Sequence, residues 1–185
     1  MDARSRNEIA MTRATASLVV LLAGCAPPTA GWAPVIPATL AVPSSQILSL
    51  WARAAGVQIY ECSMSREDPH RAEWVFKAPE AELFSRAVEK IGKHYGGPTW
   101  ESNDGSKVVG EVKARHEASD PEAIPWLLLS AKSTTGSGVF GRTQSIQRVD
   151  TVGGKAPMAG CSEAQVGKTA RVNYKATYYF YEARL

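Results

Sequence analysis

The chain is poor in the residues on which many enzymes and metal proteins depend. Among 185 residues it has three cysteines, three histidines and four phenylalanines. No apolar run approaches the roughly 20 residues that cross a bilayer as a helix. The histidines, His70, His94 and His116, stand singly, without the spacing that brings two imidazoles onto one metal ion, and no metal site is expected. No Gly-x-Ser-x-Gly elbow presents a serine nucleophile. The 21 Lys and Arg outnumber the 18 Asp and Glu by only three, without a polycationic patch, so no nucleic-acid partner is expected. Gly136, Gly138 and Gly141 spell Gly-x-Gly-x-x-Gly, but a dinucleotide turn must open a helix within a βαβ unit. Residues 142–151 read as strand instead, so no nucleotide or other cofactor is expected and residues 133–141 are taken as a mobile loop.

What is present begins with an address. Arg4, Arg6 and Arg13 precede the short apolar run Leu18, Val19, Val20, Leu21, Leu22, Ala23, the layout of a secretory signal. Leu22, Ala23, Gly24 and Cys25 follow the order of a bacterial lipobox, with Met1 or Met11 as the start. Residues 1–24 are therefore expected to be a lipoprotein signal peptide, with Cys25 lipidated and holding the chain to a membrane. Ala26 in place of an aspartate points to the periplasmic face of the outer membrane. With Cys25 acylated, Cys62 and Cys161 remain as an even pair in an oxidising compartment and are expected to form a disulfide. The alternative is two separately buried thiols.

Residues 25–43 hold five prolines and almost no charge, which favours extended backbone and suits a tether. Residues 44–185 then form one domain, without internal repeats. Strand signals dominate it. Val57, Ile59 and Glu61 alternate with Gln58, Tyr60 and Cys62; residues 106–112 follow the turn formers Asn103, Asp104 and Gly105; residues 124–129 are continuously apolar. Tyr174, Ala176, Tyr178 and Phe180 alternate with Asn173, Lys175, Thr177 and Tyr179. The fold class is therefore all-β or mainly β, an antiparallel sandwich or barrel with at most one or two short helices. Two segments conflict with this. Leu83, Phe84, Ala87, Val88 and Ile91 recur at helical spacing, and residues 45–55 allow the same reading.

A series of motifs in order carries a family resemblance: Gly56-Val-Gln-Ile-Tyr-Glu-Cys62, Trp74-Val-Phe-Lys-Ala-Pro-Glu-Ala81, Gly92-Lys-His-Tyr-Gly-Gly-Pro-Thr-Trp-Glu101, Ile124-Pro-Trp-Leu-Leu-Leu129, Ile146-Gln-Arg148 and Gly153-Gly-Lys-Ala-Pro157 before Cys161. Together, over residues 36–181, they resemble the secreted domain-of-unknown-function family numbered 3455 of bacteria and fungi. The resemblance implies no particular chemistry. It does imply a hairpin turn where this chain has residues 86–90, and so strands at 81–85 and 91–95 rather than a helix, although the glycine of that turn is missing here.

The segment 94–101 concentrates candidate site residues. A catalytic reading makes His94 a general base oriented by Glu101 or Asp104, and requires the bend at Gly96, Gly97 and Pro98 to bring them within hydrogen-bond reach. The other reading packs Trp100 in the core and leaves His94 and Glu101 securing nearby backbone. Candidate ligand-binding residues are His94, Tyr95, Trp100, Glu101 and Arg148, the last able to grip a carboxylate or phosphate through its planar fork. Tyr174, Tyr178, Tyr179 and Tyr181 crowd both faces of the last strand, either completing a two-sided core or offering an aromatic face to an envelope glycan or protein partner.

The expectation is thus a lipid-anchored cell-envelope module that binds without catalysis. A cofactor-independent enzyme using His94 with Glu101 and Asp104 is the alternative, and a purely structural envelope protein the third.

Overall fold

A computed structural model describes residues 36–185. Residues 1–35, on which the expected signal peptide, Cys25 and most of the expected tether fall, lie outside the described residues. Eight strands follow in sequence: β1 (Gln46–Met64), β2 (Ala72–Phe84), β3 (Lys90–Tyr95), β4 (Thr99–Ser102), β5 (Lys107–His116), β6 (Trp126–Thr135), β7 (Thr143–Gly153) and β8 (Thr169–Ala183). Each pairs antiparallel with the next, and β8 returns to β1, closing a barrel. Of the sandwich and the barrel, the chain forms the barrel, and closure removes the unpaired edges that an open sheet must protect.

Residues 45–55 join β1 instead of forming a helix. Their periodicity spans few turns, and the pairing of Ala54 with Ala176 and of Gly56 with Tyr174 belongs to a continuous ladder with β8. Residues 80–95 form the β2–β3 hairpin. Its turn is closed by Val88 N–H donating to Ser85 O at 3.0 Å and Ser85 N–H to Glu89 O at 2.9 Å. Val88 takes the left-handed conformation, φ 63°, that glycine ordinarily supplies. The apolar run 124–129 becomes strand only from Trp126. Proline 125 has no N–H to give a ladder, and Ile124 instead donates its own to Gly153 O at 2.9 Å.

Alternation along the strands sorts side chains into an interior and an outer layer. On β8, Tyr174, Ala176, Tyr178 and Phe180 point inward, and Phe180 meets Phe140 at 4.7 Å and Trp100 at 5.9 Å between ring centroids. Phe140 with Leu83, Val108 and Ile146 fills the barrel at that end. On the outer side, Tyr179, Tyr181 and Val149 are also buried, packed against Ile36, Val42 and Trp51. This corrects the tether reading for residues 36–43. Leu40, in the 3-10 turn Ala38–Leu40, is fully buried, and its carbonyl accepts from Gln147 Nε2 at 2.6 Å. Gln147 Oε1 accepts in turn from the Tyr181 hydroxyl at 2.7 Å. The crowded tyrosines of β8 therefore complete a two-sided core.

Cys62 and Cys161 are bridged. The bond joins the end of β1 to the β7–β8 connection, where Trp74 Nε1 also donates to Gly160 O at 2.7 Å. The loop after β6 is held rather than free. The Asp104 carboxylate accepts from Val139 N–H at 2.9 Å and from the Ser106 N–H and hydroxyl at 2.8 and 2.6 Å. A Cβ at Gly138 would stand 2.2 Å from an Asp104 carboxylate oxygen, so a larger residue there would push that carboxylate off these partners.

Candidate functional site

Register decides what residues 94–104 can do. On the β3–β4 hairpin His94 pairs with Trp100 and Lys93 with Glu101. Paired residues share a face and neighbours alternate, so His94 and Trp100 point into the barrel while Lys93 and Glu101 point out. Glu101 is held outside by the Tyr95 hydroxyl at 2.8 Å and by Lys107 and Lys93 at 3.2 and 3.4 Å. The hydrogen bond from Tyr95, helped by the two lysines, lowers its pKa below the ordinary glutamate value. Asp104 is committed to the loop just described, and those hydrogen bonds, led by the Ser106 hydroxyl, lower its pKa to about 2. The arrangement of His94 with Glu101 or Asp104 as base and orienter is therefore not the one found. The bend at residues 96–98 turns the chain without changing the faces.

His94 is 2% exposed and stacks on Trp100 with ring centroids 4.3 Å apart and planes 12° apart. Its Nδ1 lies 2.9 Å from the Thr99 carbonyl oxygen. A carbonyl only accepts, so Nδ1 carries the proton and donates, and Nε2 is left as an acceptor. Burial lowers the His94 pKa to about 3, against the smaller opposing effect of the Thr99 carbonyl. The ring is thus neutral in the folded chain through the ordinary range, whereas an unfolded histidine takes up a proton near pH 6.5. With the folded pKa depressed, the unfolded state binds more protons between these values, and stability falls as pH falls through that window. Between pH 6 and 5 the loss should approach about 1.4 kcal/mol per pH unit. Urea unfolding at pH 7.5, 6 and 5 checks this: a His94→Gln variant should lack that slope, and an equal slope in both chains would contradict the assignment.

His94, Trp100 and Tyr178 line one side of a cavity of about 510 Å³ in the half of the barrel opposite Phe140. Gln58 and Tyr60 from β1 and Leu127 and Leu129 from β6 continue its wall. Phe76, half exposed, and Val112, 47% exposed, stand at its rim with Lys77 and Arg115. Arg148 of β7, cross-strand from Tyr178 and Leu127, completes it. The size and the mostly apolar lining suit a small ligand, and an eight-stranded barrel encloses about one.

Its polar groups are unusual for a packed core. Among the described residues Gln58 Nε2 and Trp100 Nε1 are buried without a hydrogen-bond partner, while the Tyr178 hydroxyl interacts with Arg148 and with the hydroxyl of Tyr174, which lies behind the lining. Desolvation raises the pKa of both tyrosines, so they remain protonated donors. Tyr60 is satisfied, its hydroxyl donating to Gly154 O at 2.6 Å.

The structure thus brings His94, Trp100 and Arg148 together and leaves Tyr95, Glu101 and Asp104 outside. Gln58 and Arg115 were not singled out as site residues from the sequence, and Tyr178 only as one of the aromatic residues of the last strand. For Gln58 a signal existed: it shares the strand face of Tyr60 and Cys62, so a buried face there includes a buried amide.

Residues 43–182 match the model of a family described as protein of unknown function, DUF3455. Neither a curated protein nor a solved structure matches the chain.

Proposed function

The chain belongs to the DUF3455 family, and since that description assigns no activity, we propose from the barrel itself that it is a non-catalytic binding module holding one small ligand in its interior. The observation that carries this reading is the cavity of about 510 Å³ with two buried donors in its wall, Gln58 Nε2 and Trp100 Nε1, that meet no partner among the described residues. A buried polar group left unpaired costs about 1–3 kcal/mol, and a ligand offering acceptors recovers part of that. A merely structural barrel gains nothing from leaving such groups around open space. The signal-like N-terminus and the lipobox order before Cys25 support the companion reading of a module held at the cell envelope by lipid.

The test uses N-phenyl-1-naphthylamine, an uncharged aromatic dye, and the full chain carrying Cys25→Ser so that no lipid or detergent micelle competes for it. One dye molecule should bind per chain, with increased fluorescence. Leu127→Trp, which fills the cavity, and Val112→Trp, which narrows its rim without touching the core, should each weaken binding at least tenfold. Binding that exceeds one dye per chain, or that neither variant alters, would overturn the reading.

A further inference from the structure

The charges around the cavity have one sign. Among the described residues that line it, Lys77, Arg115 and Arg148 are cationic and none is acidic. Lys77 is already paired, 3.2 Å from Glu61. Arg115 and Arg148 have no carboxylate partner among the described residues. Arg148 is the deeper of the two. Its Nε and Nη2 both donate to the Pro125 carbonyl, at 3.1 and 2.8 Å. That fixes the guanidinium plane and spends one edge on a neutral acceptor. The rest of the group meets no carboxylate among the described residues, only the hydroxyl oxygen of Tyr178, a neutral acceptor that a bound anion can outcompete. A partly buried guanidinium held in position without a counter-ion is a built half of an ion pair.

The remaining lining limits the rest of the ligand. Gln58 Nε2 and Trp100 Nε1 add neutral donors, which suit oxygen acceptors. His94 offers only the Nε2 lone pair toward the cavity, which would repel a second negative charge on the ligand. Leu127, Leu129, Ile124 and the Trp100 ring supply an apolar sleeve. At roughly 30 Å³ for each water-sized group, the volume admits a molecule of about 12–17 non-hydrogen atoms.

We propose that the ligand is a monoanionic amphipath, an aromatic or alkyl carboxylate whose acid group meets the other edge of Arg148 and whose apolar body lies along the sleeve. This rests on the interior-binding reading above and names the class of ligand for that site. Arg115 and Lys77 at the rim attract the anion on its way in, whereas Arg148 selects it.

The experiment compares 4-phenylbutanoate and decanoate with their uncharged amides, by isothermal titration calorimetry at pH 7.5, on the full chain carrying Cys25→Ser. The acids should bind at least tenfold more tightly than the amides. Arg148→Gln should abolish that preference while the amides bind as before. Arg148→Lys, which retains the charge but not the fork, should restore part of it. Arg115→Gln should leave the ratio of acid to amide within about twofold, and this exposed position keeps the test open should Arg148 variants fold poorly. Equal affinity for acid and amide in the unsubstituted chain would overturn the anion assignment and leave the binding reading standing. A preference removed by Arg115→Gln but not by Arg148→Gln would place the anion at the rim and overturn the interior site. If neither the probes nor the naphthylamine dye bind, both readings fall together.

Discussion

A chain with Cys62→Ala and Cys161→Ala is expected to lose about 4–5 kcal/mol of stability while keeping its barrel. The two residues are separated by 99 positions. In the chain-entropy picture, cross-linking a loop of that length removes this much freedom from the unfolded chain. The folded state loses far less, because the neighbourhood of Cys62 is held by other bonds. Its N–H donates to Lys168 O and its carbonyl accepts from Gly167 N–H, both at 2.9 Å. Trp74 Nε1 still holds the same connection at Gly160. Strand β1 remains laddered to β2 and β8 on either side.

Thermal unfolding should therefore shift downward by roughly 10–20 °C, with an unchanged far-ultraviolet spectrum. Denaturant unfolding of oxidised and reduced chain supplies the control without substitution, and the oxidised chain should show no free thiol at residues 62 and 161. A midpoint within about 1 kcal/mol of the parent in both comparisons would mean that the unfolded chain is already restricted across residues 62–161. Loss of the β spectrum would mean that the other bonds at the end of β1 are insufficient on their own.

The same residues show why part of this molecule was legible from sequence and part was not. The period of two in Tyr174, Ala176, Tyr178 and Phe180 is a local property, and it identified β8 as a strand, while which face turns inward is set by closure of the barrel. The pairing of Cys62 with Cys161 followed from compartment and count, with no geometry needed. Residues 45–55 were ambiguous because their apolar positions fit both periods over so short a span. What decides them is a ladder to residues about 130 positions away. The burial of Tyr179 and Tyr181 depends likewise on Leu40 and its neighbours folding back over the outside of the barrel.

The site was legible in its members and not in its grouping. His94, Trp100 and Arg148, named from the sequence, line one cavity, but Glu101 and Asp104 were joined to His94 by proximity in the chain. On a strand, proximity misleads: a hairpin that pairs His94 with Trp100 necessarily sends Glu101 to the other face. Gln58 and Tyr178 enter only through closure of the barrel, which brings β1, β4, β6, β7 and β8 around one space.

Trp100 is where scaffold and site meet, and two substitutions there should separate its roles. The ring is 1% exposed, lies edge-on to Tyr178 at 5.3 Å and to Phe180 at 5.9 Å, and stacks on His94. A glycine at position 110 makes room for it, since a Cβ there would come within 2.9 Å of Trp100 Cζ3. Trp100→Ala removes all these contacts and should cost about 3–5 kcal/mol, the range for deleting a large buried aromatic.

It should also change the pH dependence. Without the indole His94 loses a wall of its apolar enclosure, and desolvation is what holds its pKa near 3. The folded pKa then rises toward the unfolded value, and the loss of stability between pH 6.5 and 5 becomes shallower than in the parent. Trp100→Phe keeps an aromatic ring against His94 and removes the unpaired Nε1 donor, so its cost should stay below about 2 kcal/mol and the pH slope should persist. If the indole only packs, Trp100→Phe will bind 4-phenylbutanoate as the parent does. If Nε1 donates to the bound acid, affinity should fall at least fivefold in a chain that is still folded and still shows the His94 slope. Equal stability losses for the two variants would instead mean that a benzene ring cannot fill the place that Gly110 leaves for an indole.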